Sequence, residues 1–127
     1  DYILIKIENS IFEDRQYLKT FTKINDLDLH ITDAYRISRL IKKLDNLSTE
    51  YGEFKKKLTD KYGTVDGDEA KIDKENLEVF FKEYGELLKI EHDLEVELLP
   101  IPKNMEESVS PSDLNVIEKF FDLSSLN

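Results

Sequence analysis

Apolar side chains recur at helical spacing between Thr32 and Gly63, over a stretch that contains no proline. They form two heptad series, which are Ile37, Leu44, Tyr51 and Leu58 on the one hand and Leu40, Leu47 and Phe54 on the other. This pattern predicts a long helix over residues 33–62 that packs along one seam. Thr32 or Asp33 is expected to cap its N-terminus, and Gly63 to adopt a left-handed conformation at its C-terminus.

A single glycine, Gly52, interrupts the predicted helix. A glycine inside a helix costs about 1 kcal/mol relative to alanine. Gly52 either admits a close neighbour beside Tyr51 or is a tolerated surface glycine, and the sequence leaves both readings open.

Helix-start signals predict two shorter helices, one before and one after the long helix. Ser10 and Glu13 fit a capping box, which would begin a helix over residues 11–24. Asp73 is expected to cap a helix over residues 74–93, in which apolar residues again recur at helical spacing.

A last helix is predicted near the C-terminus, over residues 111–121. Ser110 is placed to act as its N-cap, with Pro111 in the first helical position and Asp113 in the third. Residues 103–109, which precede this signal, are expected to form a loop.

Two short segments have the composition of strands. Residues 2–7 (YILIKI) are β-branched and apolar, and residues 95–101 (EVELLPI) alternate in polarity. Pro100 and Pro102 would confine the second segment to a sheet edge, where it can pair with the first. A turn or small hairpin is expected around Asp66–Gly67.

These elements predict an α+β fold that is predominantly α-helical. The long helix and the helix over 74–93 would form an antiparallel hairpin, packed with two shorter helices and a small two-stranded sheet. Charge favours the hairpin, because residues 32–62 carry eight Lys or Arg against five acids, whereas residues 73–95 carry three Lys against eight acids.

Composition places the 127 residues in one domain, 1–127, with a formal net charge of −10 and no cysteine. The absence of cysteine excludes disulfides and thiolate chemistry. The negative charge argues against direct nucleic-acid binding and favours a protein partner with a basic surface. No apolar run is long enough to predict a membrane span.

The sequence offers few candidates for chemistry. His30 and His92 stand in no metal-ligand spacing, and Asp66, Asp68 and Glu69 do not fit a calcium loop. No nucleophile elbow or phosphate-binding loop occurs. No catalytic residue, cofactor or metal is predicted, and the protein is expected not to be an enzyme, although an acid–base pair among its many carboxylates stays an open alternative.

Three segments resemble a family of small, uncharacterised bacteriophage proteins of Gram-positive hosts. They are AYRISRLIKKLDNLSTEYGEFKKKLTDKYG, DKENLEVFFKEYGELLKIEHDLEVELLPI and SPSDLNVIEKFF, all between residues 34 and 121. The family shows the same order of a lysine-rich helix ending in K-Y-G, an acidic turn, an E-L-L helix, a V-E-L strand and an S-P-x-D-L helix. The first forty or so residues depart from it, and the family implies no catalytic residue.

The resulting hypothesis is a non-enzymatic, phage-encoded acidic protein that inhibits or modulates a host machine for nucleic-acid handling or defence, in the host cytoplasm. The residues expected to bind the partner are Asp66, Asp68, Glu69, Glu83, Glu86, Glu91 and Asp93. The first alternative is a virion or assembly component that forms homo- or hetero-oligomers, and the second is a small-ligand-binding protein or an enzyme.

Overall fold

The computed structural model describes residues 1–124 and 126, so Ser125 and Asn127 of the predicted domain lie outside the described residues. The elements, in chain order, are β1 (Tyr2–Glu8), a 3-10 helix (Asn9–Glu13), α1 (Arg15–Asn25), α2 (Ile31–Tyr62), β2 (Gly63–Asp66), β3 (Glu69–Ile72), a second 3-10 helix (Lys74–Asn76), α3 (Leu77–Leu88), β4 (Glu91–Glu97), β5 (Leu99–Pro100), α4 (Lys103–Ser108), α5 (Pro111–Ile117) and β6 (Phe121–Asp122). The predicted α+β, predominantly helical fold is confirmed.

The long helix α2 begins slightly earlier than the sequence predicted. His30, rather than Thr32 or Asp33, is its N-cap, and the ring nitrogen Nδ1 of His30 accepts a hydrogen bond from the backbone N–H of Thr32 at 3.4 Å. Within the described part of the chain, no helix combines the length and the apolar character that crossing a membrane requires.

Helix α3 runs back along α2, so the predicted antiparallel hairpin is confirmed. The start of α3 lies near the end of α2, where the Asn76 side chain donates to the Tyr62 carbonyl oxygen at 3.3 Å. Further along α3, the Tyr84 hydroxyl lies 3.3 Å from the Tyr51 hydroxyl, eleven residues before Tyr62.

Strands β2 and β3 form the hairpin that joins α2 to α3, with Gly67 in the left-handed region at φ 63°. The prediction of a left-handed Gly63 is wrong, since this residue is extended (φ −139°) and begins β2. A Cβ on Gly63 would lie 2.5 Å from the Lys71 carbonyl oxygen. Gly63 is therefore required by the close approach of β3, not by a helix cap.

The first helix begins later than predicted. The expected helix over residues 11–24 is split into a 3-10 turn and α1, and Asp14 caps α1 by accepting from the Gln16 backbone N–H at 2.9 Å. The Ser10 hydroxyl donates to the Glu8 carboxylate instead of capping a helix.

The boundary between α3 and β4 also differs from the prediction. Helix α3 ends at Leu88 instead of residue 93, and the strand predicted over 95–101 is replaced by β4, which ends at Glu97, and the two-residue β5. Strand β4 pairs antiparallel with β1 over all seven residues of each strand. Pairing with β1 turns His92, Leu94 and Val96 towards the core, and this contact outweighs continuation of the helix.

The C-terminal region contains a helix that was predicted as a loop. Helix α4 occupies most of residues 103–109 because its Met105 side chain is fully buried in the core. The capping box of Ser110 and Asp113 at the start of α5 is confirmed. Helix α5 ends at Ile117 rather than residue 121, because the next residues place two consecutive phenylalanines in the core as the chain enters β6.

A series of aromatic rings runs through the core from α2 to the C-terminal region. The ring centroids of Tyr51 and Phe12 are 6.0 Å apart, and those of Phe12 and Tyr17 are also 6.0 Å apart. The series continues from Tyr17 to Phe21 at 4.9 Å and from Phe21 to Phe120 at 5.3 Å. Such contacts add about 0.5–1.5 kcal/mol per pair beyond area burial.

A buried carboxylate joins α1 to α5. Asp113 is 1% exposed. Its Oδ2 accepts from Lys23 Nζ at 2.5 Å and from the Ser110 backbone N–H at 2.8 Å, and its Oδ1 accepts from the Thr20 hydroxyl at 2.7 Å and from Gln16 Nε2 at 3.1 Å. Burial by itself would raise the pKa of Asp113, but the hydrogen bonds from Lys23, Ser110 and Thr20 outweigh it and hold this pKa well below its ordinary value.

We expect Asp113→Asn to lower the free energy of unfolding by about 2–4 kcal/mol near neutral pH, because the amide cannot accept all of these hydrogen bonds. A carboxyl with a depressed pKa stabilises the fold above its ordinary pKa, and this contribution is lost as the pH falls towards the folded-state value. Urea unfolding between neutral and acidic pH should therefore show the difference from wild type shrinking below the ordinary pKa of 3.8. Glu118→Gln, an exposed change just after α5, is the control, and a difference that does not vary with pH would contradict this account.

Gly52, which lies inside α2, and Gly63, which directly follows it, should respond to alanine in opposite directions. A Cβ on Gly52 would meet nothing within 4 Å, so the surface reading of this residue holds and Gly52→Ala should stabilise the protein by about 1 kcal/mol. Gly63→Ala should destabilise it, because the new Cβ would collide with the Lys71 carbonyl. Thermal unfolding of both variants measures this, and a stabilised Gly63→Ala would refute the steric explanation.

Candidate protein-binding surface

Acidic residues occupy every second position of β4. Its sequence is EHDLEVE, in which the acids alternate with His92, Leu94 and Val96. Successive side chains of a strand point to opposite faces of the sheet, so the acids share one face and recur about every 6.8 Å. We call this set the acidic ladder, and its members are Glu91, Asp93, Glu95 and Glu97.

The register with β1 defines what lies beside the acidic ladder. The cross-strand pairs are Tyr2 with Glu97, Leu4 with Glu95, Lys6 with Asp93 and Glu8 with Glu91. These eight residues form the solvent face of the sheet, on which Tyr2 is 62% and Leu4 is 67% exposed. Because Lys6 and Glu8 offset each other, the four carboxylates of the ladder give this face a formal charge of −4.

The opposite face of the same two strands holds the sheet on the protein. Ile7 and Val96 are 3% and 2% exposed, and Ile3, Ile5 and Leu94 pack against the same apolar cluster. A slip of one residue would expose these side chains and bury the carboxylates. The apolar face thus fixes the positions of the charges on the solvent face.

A buried asparagine anchors the start of β4. Asn9, which is 3% exposed, donates from its side-chain amide to the Leu87 carbonyl oxygen at 2.9 Å. Its Oδ1 lies 2.7 Å from His92 Nε2, so Nε2 is the nitrogen that carries the proton and donates. His92 is thereby a structural residue that orients β4 relative to the end of α3.

Side chains of α2 contact the other edge of β4 near its Glu97 end. Lys43 Nζ donates to the Glu95 carbonyl oxygen at 2.6 Å, and Arg36 Nε lies 3.7 Å from Glu97 Oε1. Glu97 is therefore partly neutralised. Glu91, Asp93 and Glu95 have exposed side chains and no ion-pair partner among residues 1–124 and 126.

The basic residues of α2 contact several elements and not α3 alone. Lys61 does contact Glu83 of α3, at 3.8 Å between Nζ and Oε1. Lys55 instead binds Glu13, and Arg36 faces β4. Much of the positive charge of α2 is thus directed to segments other than α3.

The predicted partner-binding residues fall into three separate places. Glu91 and Asp93 belong to the acidic ladder, whereas Glu83 and Glu86 lie on α3, the former half-buried beside Lys61 and the latter exposed. The remaining three, which are Asp66, Asp68 and Glu69, are exposed on the β2–β3 hairpin.

The hairpin acids lie far from the Glu97 end of the ladder. The hairpin packs beside Lys56 of α2, while the Glu97 end of the ladder lies beside Arg36. Twenty residues of helix separate these positions, which corresponds to about 30 Å.

Glu95 and Glu97 were missed as members of the candidate surface. The signal that identifies them is the period-two alternation of acids, which starts at Glu91 and continues to Glu97. The predicted helix over residues 74–93 concealed this alternation. Residues two apart lie about 200° apart around a helix but on the same face of a strand.

A second polar cluster lies where the first 3-10 helix meets α2 and α3. Glu13 Oε2 accepts from Lys55 Nζ and from the Tyr84 hydroxyl, both at 2.7 Å. The hydrogen bond from Lys55 and then that from Tyr84 lower the pKa of Glu13, while burial and then the hydrogen bond with Tyr84 raise the pKa of Tyr51. At neutral pH Glu13 is ionised and Tyr51 is protonated. The cluster therefore holds the first 3-10 helix, α2 and α3 together and does not act as a proton donor and acceptor pair.

Metal ligation has no candidate among residues 1–124 and 126, where no group of three or more His, Asp or Glu residues could hold an ion. Protein-family models, curated proteins and solved structures gave no match to this chain. The surface chemistry described above is therefore the basis for assigning a function.

The backbone of β1 has an unpaired edge. At the two ends of the register, the Leu98 N–H donates to the Asp1 carbonyl and the Asn9 N–H donates to the Ile90 carbonyl. The odd-numbered residues of β1 therefore bond to β4, and the backbone N–H and C=O groups of the even-numbered residues point away from it. The even-numbered residues are Tyr2, Leu4, Lys6 and Glu8, and within the described chain β1 has no strand on that side.

Amide hydrogen exchange should show this alternation directly. We expect the N–H groups of Ile3, Ile5 and Ile7 to exchange at least about tenfold more slowly than those of Leu4 and Lys6, because only the former are bonded within the sheet. Exchange followed by NMR on the isolated protein measures each amide. Equal protection of both sets would show that the edge is covered.

Proposed function

We propose that this protein is a non-enzymatic acidic protein that binds a basic surface of a partner protein through the solvent face of the β1–β4 sheet. The observation that carries the proposal is the acidic ladder, which places four carboxylates in one line on β4. Three of them are exposed and form no ion pair within the described residues. Their charge is available to a partner.

Electrostatics and apolar contact would have different roles at this surface. Opposite charge accelerates encounter and selects basic partners, with a range of about 8 Å at physiological ionic strength. Tyr2 and Leu4 lie beside the ladder and are mostly exposed, so they can supply the apolar anchors that carry much of the energy in protein interfaces.

The resemblance to small phage proteins supports a host machine as the partner. Proteins that handle or cut nucleic acid present basic surfaces to phosphate backbones. Carboxylates on the solvent face would occupy such a surface in place of phosphates, and the protein would inhibit or modulate that machine in the host cytoplasm.

A second candidate function is assembly, as a virion component, scaffold or chaperone. The unpaired edge of β1 favours it, because exposed strand edges also pair with copies of the same chain. Sedimentation separates the candidates, since an assembly component self-associates as its concentration rises and an inhibitor of a host protein need not.

The proposed surface can be tested with two triple variants that change the net charge equally. The first neutralises the ladder with Glu91→Gln, Asp93→Asn and Glu95→Gln. The second, a matched control, neutralises the hairpin with Asp66→Asn, Asp68→Asn and Glu69→Gln. Each is immobilised and exposed to a lysate of a Gram-positive host, and retained proteins are identified at low and high salt.

We expect the wild type and the hairpin variant to retain the same basic protein. The ladder variant should retain at least about tenfold less of it, because the electrostatic attraction between its carboxylates and the basic partner is lost. Raising the salt should release that protein from the wild type. Equal retention by all three proteins, or retention that is insensitive to salt, would refute the proposal. Loss with the hairpin variant alone would move the binding surface to Asp66, Asp68 and Glu69.

A further inference from the structure

The unpaired edge of β1 is also a binding feature in its own right. The N–H and C=O groups of Tyr2, Leu4, Lys6 and Glu8 point away from β4, and the side chains of the same residues are on the solvent face. A row of unpaired backbone groups accepts a further strand by main-chain hydrogen bonding. The same pair of strands therefore offers unpaired backbone groups, on the edge of β1, and negative charge, on the acidic ladder of β4.

A groove runs beside this edge, beneath the sheet. It has a volume of about 290 Å³, and its lining combines the half-buried Ile5 and Ile11 with the polar or charged side chains of Lys6, Glu8, Ser10 and Asp14. Lys119 also lines the groove and is exposed. An added strand would lie about 4.8 Å from β1, where every second side chain would point into this groove.

The charges decide what kind of strand fits. The side chains of an added strand that do not enter the groove would lie on the solvent face, about 10 Å from the acidic ladder across β1. The extended stem of a lysine or arginine can span much of that distance over Leu4, and the remaining separation is within the range of screened attraction. A second copy of this chain fits less well, because each copy has a net charge of −10.

We infer that β1 binds an extended segment of the partner protein as a third, edge strand, and that this segment alternates basic with small apolar residues. The pairing is antiparallel, which is the more stable ladder. Basic side chains lie on the solvent face towards the acidic ladder, and the small apolar side chains enter the groove, where Ile5 and Ile11 offer apolar contact. The inference rests on the proposed function and specifies the mode of binding.

The test uses a synthetic peptide of seven alternating Lys and Val residues, acetylated and amidated, which matches the seven residues of β1. It is titrated into the ¹⁵N-labelled full chain, and amide exchange is measured with and without peptide. We expect the amides of Leu4 and Lys6 to become at least about tenfold more protected in the complex, because they then donate to the added strand. Binding that leaves these amides unprotected would overturn the inference.

N-methylation of the peptide provides a control that leaves the protein unchanged. Methyl groups on the Lys nitrogens block the peptide edge that faces β1 in antiparallel pairing, whereas methyl groups on the Val nitrogens block the opposite edge. We expect only the first set to abolish binding. If neither set weakens binding, the peptide contacts side chains alone, and the inference fails while the proposed electrostatic function stands.

Two protein variants complete the experiment. Leu4→Pro removes an N–H that points away from β4, a position that a sheet edge tolerates, and it should weaken peptide binding at least about tenfold while circular dichroism is unchanged. The ladder triple variant should also bind more weakly.

Undiminished binding by a folded Leu4→Pro protein would overturn the inference, and so would a concentration-dependent dimer that protects the same amides without peptide. Binding that is sensitive to N-methylation but not to the ladder variant would instead count against the proposed function.

Discussion

The pairing register between β1 and β4 is the constraint on which the functional surface depends. It is set by burial, because Ile7 and Val96 are almost completely inaccessible on one face of the sheet. The side-chain period of a strand is two, so fixing one face fixes the other. The position of every carboxylate in the acidic ladder is therefore determined by apolar side chains that never meet a partner.

The charge of the molecule is segregated by how the cations of α2 are used. Arg36 and Lys55 face Glu97 and Glu13, and Lys43 binds a backbone carbonyl of β4. Cations that are engaged with the protein's own elements cannot neutralise the exposed end of the ladder. Part of the protein's excess of negative charge therefore lies uncompensated on one face of the sheet.

Local signals in the sequence predicted several elements well. The heptads of α2 and the capping box at Ser110 follow from periodicity and capping, which act over a few residues. The elements that were mispredicted depend on distant contacts. The six-residue helix α4 exists because Met105 enters the core, and Gly63 is extended because Lys71 approaches it.

The candidate site was predicted in part for the same reason. Glu91 and Asp93 were selected for their charge, but assigning them to a helix separated them onto different faces. Only the contact with β1, more than eighty residues earlier in the chain, turns that segment into a strand and brings Glu95 and Glu97 into line with them. The free edge of β1 likewise has no signature in the sequence. An edge is free only when no other strand of the fold pairs with it, and that depends on the whole chain.

The contact between Asp113 and Lys23 has a consequence for how the chain reaches its fold. Ninety residues separate these two side chains, and a similar separation divides β1 from β4. Closing such long loops costs entropy before the contacts form, which slows folding relative to a bundle of locally paired helices. During synthesis, β1 and α1 cannot form these contacts until most of the chain has been made. Both edges of the segment that forms β1 therefore stay unpaired until β4 has been synthesised.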